Sequence, residues 1–171
     1  MPLRIEAGYN YSGAVTADGV IYTWGNGNFG RLGYVDILKQ TVPRQVVELK
    51  SHKIVKLSLG YYHAAAITEH GVLFSWGRGN SGQLGCGNQL NEDSVKPVNA
   101  LANNKVVDVQ CGESHTVALT AEGDVYTWGG GSMGQLGLGD FLRQSLPIKV
   151  CNLDAKIIQI SCGKRHTAAI S

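Results

Sequence analysis

Three glycine-rich segments are the first residues in this chain whose types and spacing could do chemistry. Each has the sequence Gly-x-Gly-x-x-Gly, beginning at Gly25, Gly77 or Gly129. Such a segment binds the pyrophosphate of a dinucleotide when a helix follows it within a β-α-β unit. Here Arg-Leu-Gly or Gln-Leu-Gly follows, then a polar loop and a proline. Because this context does not suit a nucleotide, we predict three structural turns and no bound cofactor.

Histidine and cysteine often ligate metals, but their spacing here does not favour a metal site. His63, His115 and His166 share one position of a repeat, so all three would be ligands or none. We predict instead that each bonds a neighbouring backbone group. Two cysteines, Cys111 and Cys162, stand where other repeats have leucine or alanine, which indicates buried packing. The remaining two, Cys86 and Cys151, form no C-x-x-C pair either.

Catalytic motifs are missing from the sequence as well. It contains no Gly-x-Ser-x-Gly nucleophile turn, no His-Glu-x-x-His zinc motif and no paired carboxylates of the glycosidase type. The 13 acidic residues are scattered, and three of them belong to tight turns. We therefore predict that the chain is not an enzyme.

Composition and charge narrow the classes of partner. The 171 residues are enough for one domain with a sizeable core, and 23 glycines with 16% charged residues indicate many tight turns. A formal net charge of +2 is too small to predict binding to nucleic acid. No apolar run approaches the roughly 20 residues that cross a bilayer. We therefore predict neither a nucleic-acid nor a membrane partner.

Landmark residues recur along the whole chain at a nearly constant interval. Trp24, Trp76 and Trp128 each precede a glycine and are separated by 52 residues. A Leu-Gly pair follows each tryptophan at a constant distance. A further set of glycines keeps almost the same interval, at Gly8, Gly60, Gly112 and Gly163. Several independent landmarks in one register identify a repeat protein.

Each repeat is predicted to contain four short strands, at 46–49, 54–57, 64–67 and 72–76 in the second repeat. Segment 54–57 alternates apolar and polar residues, as a half-buried strand does. Segment 64–67 is small and continuously apolar, as in a strand buried on both faces. Glycine at 71 supplies the positive φ that a tight turn between the last two strands requires. Four strands repeated radially predict the blades of a β-propeller.

These repeats resemble those of the regulator-of-chromosome-condensation family. The family pattern has a Gly-x-x-His-(Ser/Thr) step, a small apolar strand, an acidic-Gly turn, an aromatic-x-Trp-Gly strand and a Gly-x-Leu-Gly loop. In the third repeat its motifs lie at 112–116, 122–123, 126–129 and 134–137. The first repeat has Tyr11 where histidine is expected and Arg31 in place of the usual glutamine. The resemblance implies an all-β fold, a partial β-propeller of four-stranded blades with a repeat of about 52 residues.

We predict one repeat domain over residues 1–171. Its units lie at about 5–56, 57–108 and 109–159, and a fourth begins at 160–171. A ring of this family usually closes with more blades, so three units and a fraction would leave apolar blade faces open. We expect either a fragment of a longer protein or self-association through the open blade edges.

The loops after Leu-Gly differ most between repeats, and repeat proteins bind partners through such variable loops. Tyr34, Phe141 and Arg143 in these loops have the composition of interface anchors, and Asp36 lies close to Tyr34. These four residues are the predicted partner-binding residues. The alternative is that their apolar members cover the edge of their own blade. From the sequence alone both interpretations stay open.

The resemblance implies a protein–protein interaction module whose partner is another protein. The alternative is guanine-nucleotide exchange on a Ran-like small GTPase, as in the founding member, or a part of such an exchange factor. Ultraviolet-B photoreception in a plant member uses a Gly-Trp-Arg-His-Thr step, but this chain has Lys164 in place of that tryptophan. Reduced cysteines and the lack of an apolar signal segment favour an intracellular location, cytoplasmic or nuclear.

Overall fold

The computed structural model describes residues 2–36 and 38–171, which form four antiparallel sheets. The first sheet contains β1 (Pro2–Ala7), β2 (Tyr11–Thr16), β3 (Ile21–Gly25) and β4 (Gln40–Gln45). The second contains β5 (Ile54–Leu59), β6 (His63–Thr68), β7 (Leu73–Gly77) and β8 (Glu92–Pro97). The third contains β9 (Val106–Cys111), β10 (His115–Thr120), β11 (Val125–Gly129) and β12 (Gln144–Lys149). The fourth is a hairpin of β13 (Gln159–Cys162) and β14 (Thr167–Ile170).

The all-β fold predicted from the sequence is confirmed. Trp24, Trp76 and Trp128 lie at equivalent positions in β3, β7 and β11, the third strands of their sheets. The small apolar segment of the second repeat is β6, in which every residue is buried. The turn that follows β6 contains Gly71 with a φ of +84°, a value that side-chain-bearing residues seldom adopt.

One predicted strand is wrong. Within 46–49 the structure has a single turn of 3-10 helix, Val47–Leu49, and Asn99–Leu101 forms the same turn after the next sheet. Val46 and Leu49 are buried and the two residues between them are exposed, a spacing that one helical turn satisfies and a strand does not. The remaining strand of the second sheet is β8, which ends at Pro97. Proline is tolerated there because β8 is an edge strand.

The sheets follow one another as blades around a common inner edge. The first strands of the sheets lie side by side there, since β5 contacts both β1 and β9, and β13 contacts β9. A depression of about 310 Å³ at this edge is lined by equivalent residues of the four sheets, including Ala7, Leu59, Cys111 and Cys162. The outer edge consists of β4, β8 and β12. This is the geometry of an incomplete propeller whose axis passes near the depression.

Apolar layers between neighbouring sheets form the core. Trp76 is fully buried between the first and second sheets, and Trp128 between the second and third. Backbone hydrogen bonds also join the sheets near the inner edge, where the Tyr9 N–H donates to the carbonyl of Gly60 over 3.2 Å. The second sheet begins at Ile54, three residues before the unit that we predicted from 57. Neighbouring blades are therefore held together by buried apolar area and a few directed bonds.

Candidate interaction surface

Two kinds of connection between strands, the turns after the first strands and the loops after the third strands, lie on the same face of this arc of blades. Because neighbouring strands are antiparallel, the turn between the first and second strands lies where the third strand ends. The long loops that carry Gly-x-Leu-Gly follow the third strands, so they lie beside these turns. We call this surface the loop face; it comprises 8–10, 26–36, 38–39, 60–62, 78–91, 112–114, 130–143 and 163–166. All four predicted partner-binding residues belong to it.

Tyr34 is part of the core of its own blade. Its side chain is 5% exposed, and its hydroxyl donates to the Thr23 carbonyl over 2.9 Å and contacts the carbonyl of Arg44. Burial raises the pKa of Tyr34. The Arg44 guanidinium covers the ring at 4.5 Å from its centroid. A ring enclosed in this way covers its own blade, so the structure corrects the prediction of Tyr34 as an interface anchor.

Asp36 lies on the exposed part of the same loop. Its carboxylate accepts hydrogen bonds from Arg44 Nη1 at 2.7 Å and from Gln40 Nε2 at 3.3 Å. The bond from Arg44 lowers the pKa of Asp36. The side chain is 38% exposed, so a partner can still reach it. Asp36 orders its own loop, and its part in partner binding stays a prediction.

Phe141 and Arg143 lie on the exposed loop of the third blade. Phe141 is 72% exposed. Arg143 Nη1 donates to the carbonyl of Asn80 at 3.2 Å and to Gln89 Oε1 at 2.7 Å, both in the second blade. This contact brings together two loops that carry exposed apolar side chains. We call these side chains the outer patch: Leu90, Met133, Phe141 and Leu142.

The Gly-x-Gly-x-x-Gly segments are turns in the structure, as we predicted, and the first contains a single turn of 3-10 helix, Asn28–Gly30. In the described residues after Gly30, Gly82 and Gly134, no helix begins before the outer strand of the blade. Each of these three glycines has a φ between 73° and 79°. A pyrophosphate would need the N-terminus of a helix at this point, and these described loops do not provide it.

His63 and His115 connect neighbouring blades. His63 Nε2 lies 2.8 Å from the hydroxyl of Thr116, which donates its own proton to the carbonyl of Gln83 at 2.8 Å. Because that hydroxyl has a single proton, His63 donates through Nε2. His115 makes the equivalent contact with Thr167 at 3.1 Å. We predicted a backbone partner for these histidines, and the structure corrects it to a threonine hydroxyl.

Burial keeps both histidines neutral at ordinary pH. It lowers the pKa of His63 to about 3 and that of His115 to about 4. His166, at the third equivalent position, is exposed. Within residues 2–36 and 38–171, no group of three histidine, cysteine or acidic side chains could hold a metal ion. In that same part of the chain, no helix has the length and apolar character needed to cross a membrane.

A group of aromatic residues that the sequence analysis did not identify lies near the inner edge of the loop face. The rings of Tyr9 and Tyr61 are stacked, with centroids 4.7 Å apart. Tyr62 packs edge-on against both, at 6.2 and 6.0 Å. Phe29 meets Tyr62 edge-on at 5.9 Å. We call these four residues the aromatic cluster.

A family model matches most of the chain. The model described as the regulator of chromosome condensation (RCC1) repeat matches residues 18–67, 70–119 and 122–170. The chain belongs to the RCC1 repeat family. The matched repeats and the sheets are out of phase. Each of the first two matched repeats contains the last two strands of one blade and the first two strands of the next blade. An interface between RCC1 blades is therefore encoded largely within one repeat.

Proteins whose names describe different activities contain a segment similar to this chain. The ultraviolet-B receptor UVR8 of Arabidopsis thaliana is 37% identical over 170 residues, which are 98% of this chain and 38% of that protein. The human E3 ubiquitin-protein ligase HERC2 is 37% identical over 99% of the chain, but only 4% of HERC2 is covered. The chain thus spans less than half the length of these relatives.

Solved structures confirm the propeller fold. Prp20p from Saccharomyces cerevisiae superposes with a TM-score of 0.89 and 25% identity, over 98% of this chain and 43% of that one. Human WBSCR16 superposes with a TM-score of 0.90 and 23% identity, over 99% of this chain and 45% of its own. This chain covers less than half of each matched structure, so its four sheets correspond to only part of the propeller in those structures.

Proposed function

We propose that this chain is a protein-interaction module and that it binds its partners through the loop face. Its relatives support this function, because a photoreceptor and a ubiquitin ligase share the repeats while their names describe unrelated activities. Prp20p, whose structure was described with its binding properties to Gsp1p and histones, supports protein partners. No step of the proposed function is catalytic.

The observation that carries the proposal is the exposure of the outer patch on a well-packed framework. Phe141 and Leu142 are 72% and 64% exposed. Grouped apolar side chains in solvent are typical of interaction sites. The loop that carries them is anchored near its middle by Leu136, which is buried. Arg143 ties this loop to Gln89, and arginine is frequent in protein interfaces.

A capture experiment tests this proposal. The chain is used as bait in a lysate of its source cells, beside the double variant Phe141→Ser/Leu142→Ser. The matched control is Val55→Ser/Val72→Ser, two apolar residues of 39% and 42% exposure that lie toward the opposite face, near the start of β5 and just before β7. We expect the control to retain the proteins that the unmodified chain captures and the loop-face variant to lose them. Equal capture by both variants would contradict the loop face as the binding surface.

Guanine-nucleotide exchange on a Ran-like GTPase is the alternative function. The similarity to Prp20p supports it, because Gsp1p is named as a binding partner of that protein. The assay is the release of fluorescent GDP from purified Ran with and without the chain. Binding without faster release agrees with an interaction module, and acceleration that rises with the concentration of the chain would favour the alternative.

Self-association through blade edges stays a separate prediction. Apolar side chains are exposed on the first and last sheets, where Ile5 is 70% and Ile170 is 54% exposed. Size-exclusion chromatography with light scattering should give a mass that rises with concentration. A mass that remains that of a monomer, together with no binding of the dye ANS, would contradict this prediction.

An intracellular location, cytoplasmic or nuclear, is part of the proposal. All four cysteines are free thiols and not disulfides, which is typical of reducing compartments. Fluorescence microscopy of the tagged protein in its source cells tests the location. Secretion of the tagged protein into the medium would contradict it.

A further inference from the structure

The aromatic cluster holds two arginines against its rings, and only one of the two is fully engaged. Arg31 packs over Tyr62 at 4.9 Å, is buried, and donates hydrogen bonds to backbone carbonyls. Arg78 lies 5.0 Å from the centroid of Tyr62 and 5.1 Å from that of Phe29. In the described part of the chain, no carboxylate pairs with Arg78, and its buried Nε has no hydrogen-bond partner. Arg78 is therefore positioned by cation–π contacts, with its hydrogen-bonding capacity unused.

Positive charge accumulates around this cluster. Lys164 Nζ lies 5.4 Å from the ring of Tyr61, and Arg165 is the next residue. Glu113 accepts from Arg165 Nε at 2.6 Å and lies 3.9 Å from Lys164 Nζ, so one carboxylate serves two cations. With the two arginines on the rings, four positive charges face one negative charge, which leaves +3. This local charge exceeds the net +2 of the whole chain.

Two of the four cations line one concave site. Arg78 and Arg165 line the same depression of about 410 Å³, beside Tyr62, Ser114 and Met133. Glu113 also lines it and already pairs with Arg165, so Arg78 is the cation left for a ligand. A guanidinium presents its N–H groups in a plane that matches the two oxygens of a carboxylate. The serine hydroxyl can donate a further hydrogen bond, and the tyrosine and methionine offer apolar contact. The depression thus combines the groups that recognise an acidic side chain next to an apolar one.

We propose that this depression and the adjoining aromatic cluster bind an acidic segment of a partner protein. A carboxylate of the segment pairs with Arg78, and its neighbouring residues pack on the exposed rings. Arginine and aromatic rings also bind single-stranded nucleic acid, but that mode uses a basic groove which follows the strand. Here Arg78 is the one cation of the depression that no described carboxylate pairs with, and a single unpaired charge favours an acidic side chain over a nucleic-acid backbone. The inference rests on the proposed interaction function and specifies the chemistry of the partner.

Peptide selection tests this site without a known partner. The intact chain is immobilised, and binders are selected from a display library of random peptides of about twelve residues, a length that can span such an interface. We expect the selected peptides to be enriched in aspartate and glutamate relative to the unselected library. Replacing these acids by asparagine and glutamine in one synthetic, labelled peptide should weaken binding by about tenfold or more in fluorescence anisotropy.

Substitutions then locate the binding site. Arg78→Gln should weaken the same peptide by about tenfold or more, whereas Lys39→Gln, which removes an equal charge elsewhere on the loop face, should change the dissociation constant by less than about twofold. Arg78→Lys keeps the charge but loses the planar fork, so we expect an intermediate affinity. Circular dichroism and thermal melts identify any variant that fails to fold, and the asparagine/glutamine peptide then gives the decisive comparison with the unmodified chain.

Several results would overturn the inference. Selected peptides without an excess of acids, or equal weakening by Arg78→Gln and Lys39→Gln, would contradict the site. Binding of a mixed-sequence single-stranded DNA in competition with the peptide would identify nucleic acid as the ligand instead. A chain mass that doubles as peptide binding is lost would identify a second copy of the chain. Peptides that bind the outer patch leave the proposed function standing, whereas selection of no peptide and capture of no protein contradict both.

Discussion

The interface between the first and second blades uses different side chains from the interface between the second and third. Both contain a tryptophan whose N–H bonds a backbone carbonyl of the preceding blade: Trp76 to Arg31 at 3.0 Å, and Trp128 to Gln83 at 2.9 Å. At the second interface, His63 also donates to the hydroxyl of Thr116. The tryptophan contact is therefore constant, while the polar contact beside it differs.

The polar contact changes at two positions together. Where the second interface has His63 and Thr116, the first has Tyr11 and Ala64. Since Ala64 has no hydroxyl, a histidine at position 11 would lack this acceptor. The longer tyrosine instead donates to the backbone carbonyl of His63 at 2.7 Å. In this chain, the polar residue at the interface between blades differs together with its partner across that interface.

Truncating the tryptophans is expected to have the largest effect. Trp76→Ala and Trp128→Ala each remove a fully buried ring and its N–H bond, so we expect a loss of about 3–5 kcal/mol in the free energy of unfolding. Trp24 has the equivalent position but is only partly buried, so Trp24→Ala should cost clearly less. Urea titrations followed by circular dichroism measure the three losses. Equal losses would mean that burial between blades is not their main contribution.

Acid is expected to destabilise the second interface, because it contains a buried neutral histidine. The pKa of His63 is about 3 in the folded chain and about 6.5 when unfolded, so the unfolded state binds the proton more readily. The free energy of unfolding should therefore fall as the pH decreases from about 6.5 toward 3, by up to about 1.4 kcal/mol per pH unit. His115 should add a similar decrease down to a pH of about 4.

The variant His63→Gln isolates this contribution. Its free energy of unfolding should decline less steeply than that of the unmodified chain when urea titrations are compared between about pH 4.5 and 7.5. The first interface, with Tyr11 in the equivalent position, should not contribute to this decline. The same pH dependence in variant and unmodified chain would contradict the role assigned to His63.

Adding side chains at the glycines of the inner edge is expected to have the next largest effect. A Cβ at Gly60 would lie 2.5 Å from the carbonyl oxygen of Gly112, and one at Gly112 would collide with the ring of His115. Gly60→Val would force the second and third blades apart and Gly112→Val would displace the ring of His115, so each should cost about 1–3 kcal/mol. The control Leu90→Ser, in an exposed loop, should stay within about 0.5 kcal/mol. Equal urea midpoints for all three would contradict close packing at the inner edge.

The smallest expected effect compares the two polar contacts directly. Tyr11→Phe removes one hydroxyl, and the His63 carbonyl that accepted it keeps a bond from the Gly60 N–H, so we expect a loss of about 1 kcal/mol. Thr116→Val leaves the buried Nε2–H of His63 without its acceptor, which should cost more, about 1–3 kcal/mol. Urea titrations of both variants measure the two losses in the free energy of unfolding. A larger loss for Tyr11→Phe would reverse the ranking of the two contacts.

The repeated elements of the fold could be predicted from the sequence because each repeat places the same residue in the same environment. Trp24, Trp76 and Trp128 defined the register, and their strands were found where expected. Segment 46–49 was misassigned because three of its four residues are apolar, which suits a strand as well as a helical turn. The burial that distinguishes the two depends on the neighbouring strands, as shown by the bond from the Val46 N–H to the Ile21 carbonyl.

The candidate surface could be predicted only in part, because it depends on contacts between repeats. Phe141 and Arg143 lie in a variable loop and are exposed, whereas Tyr34 in the equivalent loop is enclosed because Thr23 offers its hydroxyl a partner. The aromatic cluster could have been noticed by comparing the turns, since Tyr61 corresponds to Glu113 in the next repeat. Its stacking, however, depends on how closely two blades approach, which spacing along the sequence does not reveal.

The prolines of the outer strands affect the tendency of the chain to aggregate at high protein concentration. Each outer strand contains one: Pro43 in β4, Pro97 in β8 and Pro147 in β12. An unprotected edge strand can recruit strands from other chains and begin amyloid-like growth. Proline has no N–H to offer an incoming strand, so it interrupts the ladder at that point. The rim of the blades is therefore a poor template for aggregation.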